Sequence, residues 1–247
     1  MASSTHAIAV ILARAGSQGL PGKNRAPVAG RPCVAWTIDH ARTCSGITRI
    51  GVSTDDKEVA RLAIDAGIEH WPREPELATA TARVDDAARA AVAQADQHAA
   101  IPHDAAVVLL YGNVPVRPTD LLARAIELFR DSGCDSVQSY SEVGKHHPMW
   151  TARLSGDGTV QPWEGDTLFG GVYRRQELPP AYVPDGGVIV VRRSCLDAAV
   201  ERPDNPHAFL GRDHRGIATK PGDVIDIDDA IDLAVADAVL RRRQSNG

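Results

Sequence analysis

The sequence predicts an α/β fold built on a mostly parallel, Rossmann-like sheet with helices on both faces. Short apolar segments alternate along the chain with longer segments whose apolar residues recur at helical spacing. The first segment, Ala7–Leu12, is apolar throughout, which is typical of a strand buried on both faces. A glycine-rich segment follows it directly, at the sheet edge where α/β proteins bind their ligands. These observations together predict both the fold and the place of its site.

Further strands are predicted from apolar runs, and helices from periodicity. The strands are expected at residues 49–53, 105–110 and 187–191. The helices are expected at residues 32–43, 84–94, 121–129 and 228–243. Another helix is expected after Asp55 and Asp56, which we interpret as caps of its first turn.

The alternation weakens after residue 138. Residues 140–183 contain aromatic residues, prolines and glycines but no long periodic helix. We therefore expect an inserted dimerisation lobe of hairpins and loops at about residues 140–185, within a single domain that spans residues 1–247.

The composition argues against several classes of protein. Hydrophobic residues make up 43% and charged residues 24%, an ordinary globular balance, and the formal net charge of -5 disfavours nucleic acid as a partner. No apolar run approaches the roughly 20 residues that span a bilayer, and we expect no signal peptide and no membrane partner. Four scattered cysteines without a CxxC pair indicate reduced thiols in a cytoplasmic protein.

The segment after the first strand has the composition of a phosphate-binding loop. Its glycines permit tight turns that point backbone amides at an anion. An ordinary turn between a strand and a helix would also explain the glycines. It would not explain Arg14, Ser17 and Lys23 together, which add two positive charges and a hydroxyl donor. The spacing matches neither the P-loop nor the dinucleotide fingerprint.

Asp226 and Asp228 are the candidate metal ligands. In an extended segment, side chains two residues apart leave the same face. Mg²⁺ is usually held by one or two carboxylates together with phosphate oxygens. A cap of the last helix is the alternative role for Asp228, and the residues alone do not decide between the two.

In several ordered motifs the chain resembles the CMP-sugar synthetases, the cytidylyltransferases that activate acylneuraminate-type sugars. Arg14, Ser17, Lys23 and Asn24 have the spacing of the family signature Arg-x-x-Ser-x-x-x-x-x-Lys-Asn. Residues 30–32, 52–56, 73–79, 174–179 and 226–228 are similar to the family's Gly-x-Pro, Val-Ser-Thr-Asp-Asp, Arg-x-x-x-Leu-Ala, Arg-Arg-Gln-x-Leu-Pro and Asp-Ile-Asp. The resemblance covers nearly the whole chain.

This resemblance implies transfer of CMP from CTP to the hydroxyl of an acidic, nonulosonic-type sugar, with release of pyrophosphate and dependence on Mg²⁺ or Mn²⁺. It implies catalytic roles for Arg14 and Lys23, and metal ligation by Asp226 and Asp228. Nucleotide contacts are expected from Ala13, Gly16, Ser17, Asn24 and Arg73. Acceptor contacts are expected from Tyr111, Asn113, Arg117, Lys145, Arg174 and Gln176. It further implies a homodimer in which the lobe completes the partner's cleft.

One segment departs from the family pattern. Residues 109–117 read Leu-Leu-Tyr-Gly-Asn-Val-Pro-Val-Arg where the family has Leu-Leu-Gln-Pro-Thr-Ser-Pro-Leu-Arg. Tyr111 replaces a glutamine near the acceptor sugar, so we expect a changed acceptor and predict that N-acetylneuraminate is a poor one. A phosphonate or another ulosonate is the alternative acceptor. A non-catalytic nucleotide-binding protein is the alternative from another class, disfavoured because Arg14, Lys23 and the aspartate pair are present.

Overall fold

The structure is a computed structural model that describes residues 7–17 and 19–245. Its strands are β1 (Ala7–Leu12), β2 (Pro27–Val28), β3 (Arg31–Pro32), β4 (Arg49–Thr54), β5 (Glu69–Pro72), β6 (Ala106–Tyr111), β7 (Ser136–Glu142), β8 (Ala152–Leu154), β9 (Val160–Pro162), β10 (Tyr182–Arg192) and β11 (His214–Thr219). Its helices are α1 (Cys33–Thr43), α2 (Lys57–Asp65), α3 (Val84–His98), α4 (Leu121–Ser132), α5 (Arg193–Ala198) and α6 (Ala230–Ser245).

Seven strands of the described chain form the central sheet, in the order β11-β7-β10-β6-β1-β4-β5. Neighbouring strands pair in parallel except at β10, which runs antiparallel to both β6 and β7. The central strand β1 is buried along its whole length, as its apolar sequence predicts. The predicted fold class, a mostly parallel α/β sheet, is confirmed.

Helices cover both faces of the sheet. On one face, α1, α2 and α4 pack against alternate residues of β1 such as Ala9 and Ile11. On the other face, α3 and α5 pack against Ile8 and Val10. A smaller apolar cluster joins α6 to β2 and encloses Ile227. Among the described residues, no helix has both the length and the apolar composition that crossing a membrane requires.

The predicted elements are present, with shifts at their ends. The last helix begins at Ala230 instead of residue 228, because the Asp229 carboxylate accepts hydrogen bonds from the backbone amides of Ile231 and Asp232 at 2.7 and 2.9 Å. Asp229 is therefore the cap, and the alternative role for Asp228 is wrong. Strands β5, β7 and β11 were not predicted, since their sequences are short or polar.

The predicted lobe is irregular, but its boundaries need correction. Residues 140–142 and 182–185 belong to β7 and β10 of the main sheet, where Tyr182 pairs with Glu142. Between these strands, the chain forms the β8–β9 hairpin and short 3₁₀ turns. Several large apolar side chains of this segment are exposed: Leu154, Val160, Trp163, Leu168, Phe169 and Tyr173.

Candidate active site

One cleft at the carboxyl ends of β1 and β6 collects most of the predicted site residues. It is lined by Arg14, Lys23, Asn24, Arg73, Tyr111, Asn113, Asp226 and Asp228, together with Leu12, Leu77, Ala82, Arg83, Val84 and Ala87. The parallel sheet brings these residues together, because strands that are distant in sequence end at the same edge.

The segment after β1 is held in place from several directions. Ala13 is fully buried and its amide donates to the Ser53 carbonyl at 3.0 Å. The amide of Ala15 donates to the Asp55 carboxylate at 2.7 Å, and Asn24 Nδ2 donates to the Arg14 carbonyl at 2.9 Å. The loop is therefore fixed before any ligand arrives, as a preorganised anion site requires.

Asp55 thus has a different role from the one predicted. It contacts the loop and does not cap α2. Asp56 is the cap, because its carboxylate accepts from the amides of Glu58 and Val59 at 2.9 and 3.3 Å. The prediction is confirmed for Asp56 and wrong for Asp55. Two adjacent aspartates before a helix look equivalent in sequence, and only the fold separates their roles.

A glycine joins the loop to the aspartate pair. A Cβ atom added at Gly19 would lie 2.3 Å from the Asp228 carbonyl oxygen, so only glycine permits this approach. At Gly16, an added Cβ would lie 3.3 Å from Arg14 Nη1. The Arg14 guanidinium therefore lies over the loop backbone.

The aspartate pair flanks a buried residue. Ile227 is fully buried in the cluster around β2 and α6, and its amide donates to the Asn113 carbonyl at 2.9 Å. The Asn113 amide nitrogen donates to both the Asp226 carboxylate and the Ile227 carbonyl. Asn113 therefore positions Asp226, a role that the sequence did not predict.

The two carboxylates differ in environment. Burial, with the nearby Asp228 charge, raises the pKa of Asp226 to about 6. Asp228 is exposed and accepts from Lys23 Nζ at 2.8 Å. No group of three or more histidine, cysteine, aspartate or glutamate side chains suited to a metal ion occurs in the part of the chain that the structure describes. A two-carboxylate site fits Mg²⁺, whose remaining ligands are commonly water and phosphate oxygens.

Two further polar side chains line the cleft. Arg73 donates to the carbonyl and hydroxyl oxygens of Ser53 at 2.9 and 3.2 Å, and burial lowers its pKa to about 10. Asn24 Oδ1 is buried and has no hydrogen-bond partner among the described residues. A buried acceptor without a partner is costly, and this oxygen packs against Gly112, where an added Cβ would lie 2.8 Å from it.

Comparison with known proteins shows the family to which the chain belongs. The cytidylyltransferase family model matches residues 8–154, more than half of the chain. The chain belongs to the cytidylyltransferase family. An N-acylneuraminate cytidylyltransferase of Streptococcus agalactiae serotype V is 32% identical over 185 residues, which cover 74% of this chain and 42% of that protein. The chain therefore matches less than half the length of this curated relative.

Two other comparisons cover nearly the full length of both proteins. A CMP-N,N'-diacetyllegionaminic acid synthase of Legionella pneumophila is 29% identical over 238 residues, which cover 96% of this chain and 97% of that protein. Among solved structures, a CMP:2-keto-3-deoxy-manno-octonic acid synthetase complexed with CTP has a TM-score of 0.70 at 17% identity, with 96% of this chain and 99% of that chain covered. At that identity, the likeness shows the fold.

In this cytidylyltransferase, Arg117 is placed differently from the prediction. The side chain is fully buried and donates to the carbonyls of Gly187, Val114 and Tyr111 and to the Thr37 hydroxyl. A group enclosed in this way has no surface for an acceptor. Arg117 is a positioning residue that fixes residues 111–114, and the predicted acceptor contact is corrected.

The predicted acceptor residues of the lobe lie outside the cleft. Lys145, Arg174 and Gln176 are absent from the cleft lining in the described chain. Lys145 instead lines a separate groove with His146, His147 and Arg175. In one copy of the cytidylyltransferase, the loop and the aspartate pair therefore lie together in the cleft. The three predicted lobe residues lie outside that cleft.

Proposed function

We propose that the chain transfers CMP from CTP to the hydroxyl of an acidic, nonulosonic-type sugar and releases pyrophosphate. The observation that carries this proposal is the meeting of Arg14 and Lys23 with Asp226 and Asp228 in one cleft. Nucleotidyl transfer gathers negative charge on phosphate oxygens, and preorganised positive groups stabilise that charge. The two cationic side chains and the fixed loop amides meet this requirement.

The nucleotide would lie along the preorganised loop. Ala13, Gly16 and Ser17 belong to the segment that faces the phosphates, and Gly16 leaves room for the Arg14 guanidinium. Asn24 and Arg73, which line the cleft, would contact the nucleoside part. The attacking hydroxyl of the acceptor would approach the α-phosphorus from the Tyr111 side.

Asp226 and Asp228 would hold Mg²⁺ or Mn²⁺, which supplies charge neutralisation on the phosphates when bound. Contacts within the chain orient the two carboxylates. Asn113 donates a hydrogen bond to Asp226, and the buried Ile227 directs both carboxylates away from the core. Lys23 lies between the loop and Asp228, within reach of a phosphate held there.

The names of the relatives favour an acylated acceptor. The Legionella relative, which matches nearly end to end, is a synthase of a CMP-linked diacetylated acidic sugar. A phosphonate or another ulosonate stays an alternative, favoured by Tyr111 in the cleft wall.

We also propose a cytoplasmic homodimer. The exposed apolar side chains of the segment between β7 and β10 need a partner surface, and a second copy would provide one. Lys145, Arg174 and Gln176 would then reach the partner's cleft. The four cysteines are unpaired, as suits a reducing compartment.

Pyrophosphate release tests the reaction. Purified protein with Mg²⁺ is screened with each nucleoside triphosphate against acidic sugars and phosphonates, and release should require CTP. Arg14→Ala should lower turnover by about a hundredfold or more. Arg25→Ala is the matched control, because Arg25 pairs with Asp56 and Glu58 away from the cleft. Near-normal turnover in folded Arg14→Ala protein would overturn the proposal.

Mixing two inactive variants tests the dimer. Arg14→Ala damages the cleft and Arg174→Ala the lobe, so a mixed dimer contains one intact site. Activity should reappear when the two proteins are refolded together. A monomer in light scattering at micromolar concentration, or no recovery on mixing, would contradict the shared site.

A further inference from the structure

Strand β10 forms a bulge beside the aspartate pair. Its pairing with β7 shifts register between Pro184 and Ile189, so that residues 185–188 stand opposite Ser139 alone. Within the bulge, Gly186 has a φ of +75°, in the left-handed region that favours glycine. Bulges bend a strand and re-aim the groups beside it, and they are frequent next to active sites. A bulge of this size needs support from the neighbouring strands.

The Asp185 carboxylate gives that support. It accepts hydrogen bonds from the hydroxyls of Ser139 on β7 and Thr219 on β11, the second at 2.6 Å. The Gly187 amide donates to the same carboxylate at 2.9 Å. Ser139 Oγ in turn accepts from the Val188 amide at 2.9 Å. Because Ser139 and Thr219 are buried, water does not compete for these bonds, and one carboxylate joins three strands.

The bulge confines one of the candidate metal ligands. A Cβ atom added at Gly186 would lie 3.4 Å from Asp226 Oδ2 and 3.7 Å from the Tyr111 ring, so the Gly186 backbone packs beside both side chains. The Asn113 amide donates to the other oxygen of the same carboxylate, Oδ1. One oxygen of Asp226 is therefore held by a hydrogen bond, and the other is confined by the bulge.

The side of the bulge away from the cleft is closely packed. Arg117 Nε donates to the Gly187 carbonyl at 2.6 Å. A Cβ atom added at Gly187 would lie 2.8 Å from Ser139 Oγ and 2.9 Å from Leu121 Cδ2. A bulge released by the loss of the Asp185 carboxylate therefore has more room to move toward Asp226 than away from it.

We propose that Asp185 is a positioning residue that fixes the bulge, so that Gly186 keeps the Asp226 carboxylate in place for the divalent ion. Three donors of the protein already engage the Asp185 carboxylate. Its effect on the reaction therefore passes through the Gly186 backbone and not through contact with a substrate. This inference rests on the proposed function for the role of Asp226.

Two substitutions at one position separate the shape of the side chain from its charge. Asp185→Ala removes all three hydrogen bonds. It should weaken Mn²⁺ binding, measured by electron paramagnetic resonance, by about tenfold. Turnover with CTP should fall at low Mn²⁺ concentration and recover, at least in part, as the Mn²⁺ concentration is raised. A loss of stability alone would not give this recovery.

Asp185→Asn should restore most of the Mn²⁺ affinity. The amide oxygen of asparagine can accept from Ser139 and Gly187, and its nitrogen can donate to Thr219 Oγ1. The Thr219 hydroxyl can then donate to the Tyr140 carbonyl at 3.3 Å. Thr219→Val removes one of the three donors, so it should weaken Mn²⁺ binding in the same direction as Asp185→Ala but by less. It keeps the test available if Asp185→Ala does not fold.

Asp135→Ala is the matched control. The Asp135 carboxylate accepts from the amides of Arg212 and Asp213 at 2.8 and 3.1 Å, so it joins the segments that lead into β7 and β11 at the opposite end of these strands. Its loss should lower the free energy of unfolding, as the loss of Asp185 should. It should leave Mn²⁺ affinity and turnover at the wild-type values.

The outcomes distinguish this inference from the proposed function. Wild-type Mn²⁺ affinity in folded Asp185→Ala, equal losses in Asp185→Asn and Asp185→Ala, or an equal loss in Asp135→Ala would overturn this inference alone. Weaker Mn²⁺ binding in Asp185→Ala, with no pyrophosphate release by the wild type from CTP and any acceptor, would overturn the proposed function alone. Absence of both Mn²⁺ binding and release in the wild type would overturn both.

Discussion

The two sides of the cleft that we propose for the nucleotide and for the acceptor are built in different ways. On the nucleotide side, main-chain hydrogen bonds and a glycine contact hold a loop, so that charged side chains face one point. On the acceptor side, side chains from β6, β7, β10 and β11 form the wall. Phosphate chemistry restricts the residue types on the first side, whereas the second can change with the acceptor. The two sides should therefore respond differently to substitution.

The largest effect is expected at the aspartate pair. Asp226→Asn keeps the shape and removes one carboxylate charge from the candidate metal site. Turnover should fall about a hundredfold or more, and Mn²⁺ binding measured by electron paramagnetic resonance should weaken. Asp223→Asn is a control in the exposed turn before the pair, and it should behave as the wild type. Full activity of Asp226→Asn in the presence of EDTA would show that the pair is structural.

The second effect concerns the buried arginine below the acceptor side. Arg117→Met removes the donors of several buried oxygens, each of which then lacks a partner. The free energy of unfolding should fall by about 3 kcal/mol in urea titration. Arg124→Met, an exposed change on α4, should stay within about 0.5 kcal/mol. If the free energy of unfolding of Arg117→Met also changed by no more than about 0.5 kcal/mol, the buried carbonyls would have found other donors.

The third effect concerns the contact between Gly19 of the loop and the backbone of Asp228. Gly19→Ala places a methyl group against the Asp228 carbonyl, so the loop and the aspartate pair must separate. We expect a loss of about tenfold in kcat/KM for CTP, with a cost of about 1–3 kcal/mol in stability. Gly156→Ala is the matched control, since an added Cβ there meets nothing within 4 Å. Equal behaviour of the two variants would show that this contact does not govern the cleft.

The difference between the two sides of the cleft also explains which parts of the site could be predicted from sequence. Arg14, Lys23, Asn24 and the aspartate pair were predicted to share a site, because their motifs resemble those of the CMP-sugar synthetases, and the structure places them in one cleft. Their individual binding roles stay predictions. The sheet was predicted where its strands are apolar throughout, as in β1 and β6.

Residues that act through tertiary contacts gave no such signal. Asp55 looked like a helix cap until the fold placed it against Ala15. Asn113 contacts Asp226 across 113 positions, and nothing local in the sequence indicates that contact. Strand β7 escaped prediction because Ser136, Gln138 and Ser139 interrupt its apolar pattern. Of these three, Gln138 lines a cavity beside the cleft.

The smallest effect concerns pH and the support of the acceptor side. His40 lies below the 111–117 segment, hydrogen-bonded to the backbone of Pro115, and faces Arg117, Arg243 and Asp39. Burial, assisted by Arg117, lowers the pKa of His40 to about 4 from 6.5. The unfolded chain thus takes up more protons than the folded one between these values, so stability must fall as pH decreases through that window.

His40→Gln keeps a hydrogen-bond donor and removes the titration. Between pH 7.5 and 5, the wild type should lose on the order of 1 kcal/mol more of its free energy of unfolding than His40→Gln. Urea titrations at both pH values measure the difference, and His103→Gln, an exposed change in the turn before β6, should keep the wild-type slope. Parallel slopes for the wild type and His40→Gln would mean that His40 titrates alike in both states. In that case Arg117 alone would support the 111–117 segment, and the acceptor side would keep its shape at low pH.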